Sequence, residues 1–290
     1  MLRAIMVTRS LSGSLIGLSV TFALAACQPQ GPTGVVYAQP PTTTVDSAQP
    51  HTGVPAGPPG AGALVRVIHA SPDTMASNVV IYLDNSPAPS IPNIAYRQAV
   101  GYQAAAAGSH LVQARLPGFA ADSPPVLSWN TPAFAAGRAY TVVAYGLASE
   151  LAGPPVAFAA VEDLNEAPAA NVAQMRFFHA LVGAPTVDLC TTGTMVFQGV
   201  RYGTWGMGQL GRYVQGPPGT AVFAARQSGG APCAGQPLGT VQLTFAPGSN
   251  STLIAVGRIA PGRGGVTPEL LHCTDTPLGG PSRCTPYPLR

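Results

Sequence analysis

The sequence predicts an all-β chain carrying two tandem antiparallel β-sandwiches of immunoglobulin-like type. Three observations predict it. Short runs rich in Val, Ile and Tyr recur between Pro/Gly/Asp/Ser turns. After the N-terminal segment, no stretch keeps a helical apolar period over about ten residues. The body also repeats itself with a period near roughly 110 residues, too long for a solenoid repeat and right for two whole domains.

In the first unit the expected strands are 65–70, 78–83, 99–103, 110–116, 126–130, 139–145 and 156–161. Ser71-Pro72-Asp73 and Asp84-Asn85-Ser86-Pro87 supply turns between them, with proline fixing φ. About seven short strands in about 100 residues fit two sheets burying their inner faces. The expected boundaries are 63–166 for the first sandwich, 172–275 for the second and 276–290 for a C-terminal tail. The short Ala/Pro-bearing connection 165–171 predicts domains set end to end with limited freedom.

The duplication is read residue by residue. Arg66-Val67-Ile68-His69-Ala70 returns as Arg176-Phe177-Phe178-His179-Ala180. Gln98, Tyr102 and Gly108 return as Gln209, Tyr213 and Gly219, and Arg115 returns as Arg226. The run from Gly137 to Gly146 returns from Gly248 to Gly257.

These residues carry a family resemblance. Val65 to Asp73, followed by Asn78 to Asp84, resembles the opening of the domain of unknown function 4397. Tyr96 to Tyr102, the Ala107-Gly108 turn and Ala136 to Ala144 resemble its central motif and late strand. The second copy departs from the pattern, with Leu181-Val182-Gly183 in place of Ser-Pro-Asp and Met207 where Tyr96 stands. The resemblance implies secreted or surface-tethered bacterial proteins with tandem copies, and supplies no catalytic residue.

The N-terminus predicts where such a body is held. Arg3 and Arg9 precede an apolar stretch that closes on Leu24-Ala25-Ala26-Cys27. This resembles the lipobox of bacterial lipoproteins, in which the cysteine thiol accepts a diacylglyceryl group. The expectation is a signal peptide at 1–26 and lipid attachment at Cys27, with acyl chains such as palmitate anchoring the chain to a membrane. Gln28 at the next position resembles the pattern released to the outer membrane. No later stretch has the roughly 20 apolar residues of a membrane-spanning helix. From 27 to 62 the chain is Pro, Gly, Thr and Gln with few large apolar groups, so it is expected to be a disordered linker. In polyproline II form it would reach on the order of 100 Å.

Composition narrows the function. The chain has no lysine, and every basic side chain is Arg. Without Arg3 and Arg9 the charge is close to neutral, and no Arg cluster suited to tracking phosphates occurs, so nucleic acid is not an expected partner. Beyond Cys27, the cysteines are Cys190, Cys233, Cys273 and Cys284. In an oxidising compartment two disulfides are expected, and the favoured pairing is Cys190–Cys233 with Cys273–Cys284. No Cys-x-x-Cys spacing is present, and neither a metal nor a cofactor is expected.

His69, Ser71 and Asp73 invite a hydrolase reading. The second unit keeps His179 but lacks the serine and the aspartate, so the shared feature is a strand-end histidine of structural type. No nucleophile elbow, phosphate loop, zinc-protease helix or calcium loop occurs, and no enzyme is expected. Aromatics are the remaining binding signal. Tyr96, Tyr202 and Trp205 are candidate ligand contacts, with the Tyr202–Trp205 segment expected as an exposed patch able to stack on sugars. The alternative is that such rings pack in a core or hinge, as the equivalence of Tyr102 and Tyr213 allows. The function expected is a non-enzymatic cell-envelope lipoprotein displaying two modules for structural or recognition roles. The alternatives are a glycan- or peptidoglycan-binding module and, third, an envelope hydrolase; envelope glycans or proteins are the expected partners.

Overall fold

The computed structural model describes residues 62–73, 75–148, 153–164, 166–191, 194–207, 211–259, 266–275 and 282–290. The expected signal peptide, Cys27 and linker lie outside the described residues. Among the described residues no helix is long and apolar enough to cross a membrane.

The protein is all-β. The first unit contains β1 (Ala63–His69), β2 (Asn78–Leu83), β3 (Ile91–Ala95), β4 (Gln103–Ala105), β5 (Leu111–Arg115), β6 (Leu127–Asn130), β7 (Ala139–Tyr145) and β8 (Ala157–Asp163). The second contains β9 (Ala173–His179), β10 (Val187–Thr191), β11 (Thr194–Val200), β12 (Val214–Gly216), β13 (Gly219–Gln227), β14 (Pro237–Phe245), β15 (Asn250–Val256), β16 (Glu269–Thr274) and β17 (Cys284–Pro288). Sheet orders β4-β1-β7-β8 and β3-β2-β5-β6 in the first unit match β12-β9-β15-β16-β17 and β11-β10-β13-β14 in the second. Pairing is antiparallel except for β1 with β7 and β9 with β15, which run parallel.

Alternation along each strand explains the packing. On β1, Val65 and Val67 point into the first sandwich, while Arg66 and Ile68 point the other way. On β7, Tyr140, Val142 and Ala144 fill the sandwich core and Val143 and Tyr145 face away from it. Yet β7 and β15 are buried at every position. A strand buried on both faces has a neighbour on each side. The neighbour here is the other sandwich. Ile68, Val143 and Ala159 of the first unit share one apolar cluster with Phe178, Ile254 and Leu271 of the second. The two sandwiches thus pack face to face through their inner sheets, four sheets deep, and not end to end. The short connection permits this arrangement because both inner sheets expose an apolar face that water would otherwise cover.

Other local expectations shift. β3 lies outside the expected strands because Pro92 and Asn93 interrupt its apolar pattern; both are exposed on an edge strand, where proline is tolerated. The strand expected at 99–103 is displaced to Gln103–Ala105, with Ala99 making only an isolated bridge to Ile68. The segment expected as a tail supplies β17, paired with β16 from Cys273↔Cys284 to Glu269↔Pro288.

Two disulfides form, Cys190–Cys233 and Cys273–Cys284, with Cα separations of 6.0 and 4.0 Å. The first ties β10 to the β13–β14 loop, and the second staples β17 to β16. They close loops with sequence separations of 43 and 11 residues. In the chain-entropy model loops of this size contribute about 3–4 kcal/mol each.

Gly146 and Gly257 end β7 and β15 with φ of 93° and 103°. A Cβ at Gly146 would lie 2.1 Å from the Pro155 carbonyl oxygen, and one at Gly257 2.5 Å from that of Thr267. Both the left-handed backbone and the close approach require glycine, which accounts for the residue recurring at this point in each copy.

Candidate functional site

The region where most of the singled-out residues converge is the junction between the sandwiches. Its centre is polar. Arg66 and Arg176 are both fully buried, as are their partners Asp275 and Asp163. Burying a charge is costly unless it is paired and hydrogen-bonded, and here every arm of each guanidinium is used. Arg66 Nε donates to Thr141 Oγ1 at 2.7 Å within its own sandwich. Its other nitrogens cross the junction, donating to Asp275, to Thr252 Oγ1 at 3.1 Å, to the Thr274 carbonyl at 3.1 Å and to Ser282 Oγ at 3.2 Å.

Arg176 reproduces this pattern from the opposite side. Its Nε donates to its own Thr252 at 2.9 Å, and its other arms reach Thr141 at 2.9 Å, Asp163 and the Glu162 carbonyl at 3.1 Å. Thr141 and Thr252 each donate to the carboxylate of their own sandwich at 2.8 Å. Tyr102 donates to Asp163 at 2.6 Å and Tyr213 to Asp275. The rings of these tyrosines also cover the guanidinium groups, at 5.1 Å for Arg66 over Tyr102 and 4.8 Å for Arg176 over Tyr213. The arrangement has approximate two-fold symmetry, and each arginine is neutralised by the aspartate of the other sandwich.

Electrostatics follow from this geometry. Burial pulls both guanidinium groups down, but Asp275 beside Arg66 and Asp163 beside Arg176 hold them above their ordinary range. Burial pushes the Asp275 carboxyl up, and the two arginines outweigh it, so the group titrates below the usual carboxylate range. Burial, and for Tyr102 also the charge of Asp163, pushes both tyrosine hydroxyls well up. All these groups are saturated by one another. None is presented to solvent as an acid, a base or an anion site.

The aromatic candidates lie around this centre, and the expected exposed patch is not there. Trp205 is 2% exposed. It packs on Phe178 with ring centroids 4.7 Å apart and lies 5.0 Å beneath the Arg176 guanidinium. Tyr202 meets Tyr145 at 5.8 Å and His179 at 5.9 Å, both edge to face. Tyr96 meets His69 in the same way at 6.3 Å. The stacking role assigned to Trp205 is therefore corrected: the ring fills the junction, leaving no face for a sugar.

The cause is a revised correspondence between the copies. Arg97 and Gly203 both have φ of 72°, and their amides donate to the carbonyls of His69 and His179. Ala99 bridges Ile68 as Trp205 bridges Phe178. Tyr202 thus occupies the place of Tyr96, not Met207, and Trp205 stands where the first copy has Ala99. The equivalence of Tyr102 with Tyr213 holds, so the second copy carries extra residues between these points.

His69, Ser71 and Asp73 do not form a triad. His69 Nε2 donates to the Ala76 carbonyl at 2.7 Å and Nδ1 accepts the Ser71 amide at 3.3 Å. Ser71 Oγ donates to the Gly146 carbonyl at 2.6 Å, and Asp73 accepts the amides of Met75 and Ala148. His179 repeats the arrangement, with the Pro185 carbonyl at 3.0 Å and the Leu181 amide at 3.3 Å. Both histidines brace turns. Among the described residues no group of three or more His, Cys, Asp or Glu is placed to hold a metal ion.

Burial lowers His179 to about 4 and moves His69 and His272 in the same direction. Their folded forms bind fewer protons than the unfolded chain, so this stability is complete above about pH 6.5 and is lost as pH falls toward 4. For His179 alone the effect is on the order of 3 kcal/mol. His110 works in the opposite sense: burial lowers it, but hydrogen bonds to Asp84 and the Ala106 carbonyl outweigh that and raise it. Thermal melts between pH 7 and 4.5 should show a falling midpoint, and His179→Gln should flatten the slope. An unchanged slope in that variant would refute the assignment.

What the fold and junction define is a paired two-module body, one duplicated β-sandwich clamped to its own copy. The family model described as Domain of unknown function (DUF4397) matches residues 63–190 and again 173–280. The chain belongs to that family, in two tandem copies. The first match runs on through β9 and β10, past the end of the first sandwich at β8. No curated protein matches the chain. One similar solved structure is described as a candidate cell adhesion protein from Bacteroides eggerthii, with 12% identity over 79% of this chain and 97% of that one. Its TM-score is 0.20.

Proposed function

We propose that this chain is a non-enzymatic lipoprotein of the bacterial cell envelope, acting as one rigid scaffold or recognition body. In this reading Cys27 carries the lipid, residues 27–62 are the spacer, and Gln28 favours the outer membrane. The observation that carries it is the saturated junction between the sandwiches. Its charges are spent on joining two modules, and the strand-end histidines are spent on turns, which leaves the prominent polar groups occupied structurally. The two disulfides support an oxidising compartment outside the cytoplasm.

The test is metabolic labelling with an alkyne palmitate analogue, followed by membrane fractionation, in the wild type and in Cys27→Ser. Label and outer-membrane recovery in the wild type, both lost in the variant, are the expected results. A wild-type protein recovered unlabelled in the soluble fraction would end the lipoprotein reading. Protease added to intact cells then separates display on the surface from residence in the periplasm.

A further inference from the structure

The core of the first sandwich is lined by smaller side chains than that of the second. Between the sheets of the first, at the edge formed by β3 and β4, lies a cavity of about 220 Å³. Its walls are mainly apolar, with Val67, Ile81, Ile91, Val112 and Val142 joined by one ring, Phe134. Its mouth lies at exposed Gln103 and Ala104 on edge strand β4. The polar groups deeper in it are already engaged. His110 bonds Asp84 at 2.8 Å and the Ala106 carbonyl at 2.9 Å, and Thr131 Oγ1 accepts the His110 amide at 2.9 Å.

The register of the second sandwich identifies the matching positions. Phe177 stands for Val67, Phe197 for Ile91, Phe223 for Val112 and Leu253 for Val142. All four are buried, and Phe177 and Phe197 meet with centroids 5.8 Å apart. At these positions the second sandwich buries larger side chains where the first carries valine and isoleucine. Interiors are close-packed, and an open apolar volume of this size is the exception.

We propose that the first sandwich is a binding module for a single alkyl chain, entering past β4 and lying between the two sheets. Apolar cavities of about 150 Å³ hold benzene, so by proportion this one takes about eight to ten carbons. The walls carry no cation without a partner, so the chain and not a charged headgroup is the recognised element. The proposal stands apart from the envelope reading, since it rests only on the interior of the first sandwich.

The test is NMR of the full chain carrying Cys27→Ser, purified without detergent and titrated with n-decanol and with decanoate. Both probes should shift the methyl signals of Val67, Ile81, Ile91 and Val112 saturably and leave Leu189 and Leu253 unmoved. Val112→Phe, which installs the residue of the sister module, should weaken both probes by about tenfold or more while the spectrum stays dispersed. Val67→Phe gives a second, independent filling. No saturable shift in the parent chain would overturn the proposal, as would equal binding by both filled variants. Decanoate held far more tightly than decanol would also overturn it, because the recognised group would then be the carboxylate.

Discussion

Replacing Asp275 with alanine will destabilise the folded chain by about 3–5 kcal/mol. Arg66 and Arg176 lie fully buried on either side of this carboxylate, which sits 3.9 Å from Arg176 and in direct contact with Arg66. Removing it leaves two buried guanidinium groups sharing Asp163. Tyr213 and Thr252 lose their acceptor in the same step. For a protein of this size the thermal midpoint should fall by roughly 10 °C or more. The decisive measurement is a double-mutant cycle. Arg66→Met combined with Asp275→Leu should recover much of the loss, because apolar groups of similar volume leave less charge uncompensated. If the double variant is no more stable than Asp275→Ala, the pair is not coupled as its geometry requires.

Trp205→Ala is expected to cost about 3–5 kcal/mol, the usual range for removing a large aromatic from a packed interior. The ring is held between Phe178 and the Arg176 guanidinium, so its loss opens a void beside buried charge. This outcome separates the two readings of the residue. A surface ring used for stacking on sugars would be lost with almost no change in stability. Chemical denaturation of the variant, followed by circular dichroism, decides between them. A loss below about 0.5 kcal/mol, the range of ordinary surface changes, would restore the exposed patch.

Much of the architecture was legible in the sequence because it is carried by local pattern. β2 and β7 are short β-branched or aromatic runs closed by turns, and their limits were found as read. The disulfide pairing was legible too, since few cysteines remain once Cys27 is set aside. The relation between the two domains was not. Its signal was present in the recurrence of Arg66 and Arg176 inside apolar strands, and of Thr141 and Thr252 inside runs with no exposed face. A polar residue repeated in a strand with no watery side marks a partner on that side, but one sequence does not say which partner. A constant repeat offset sets Met207 against Tyr96 and leaves Tyr202–Trp205 without a counterpart, which makes the segment look exposed, whereas the chain gains residues between Trp205 and Tyr213. The cavity left no sequence signal at all. Val67 and Val112 look like ordinary core residues until the register sets them beside Phe177 and Phe223.

The crossed pairing of the arginines has an evolutionary consequence. Arg66 depends on an aspartate in the second copy and Arg176 on one in the first, so neither half can lose its member of either ion pair without a matching change in the other. Duplicated domains ordinarily drift apart one residue at a time. Here the two ion pairs are bound to change in concert, while positions around them are free to differ, as Ala99 and Trp205 do. The copies differ elsewhere: the second carries a disulfide between β10 and the β13–β14 loop, and the first has a cavity between its sheets. A duplication fixed in this way gives the lineage a constant charged centre around which the rest of each copy can be varied.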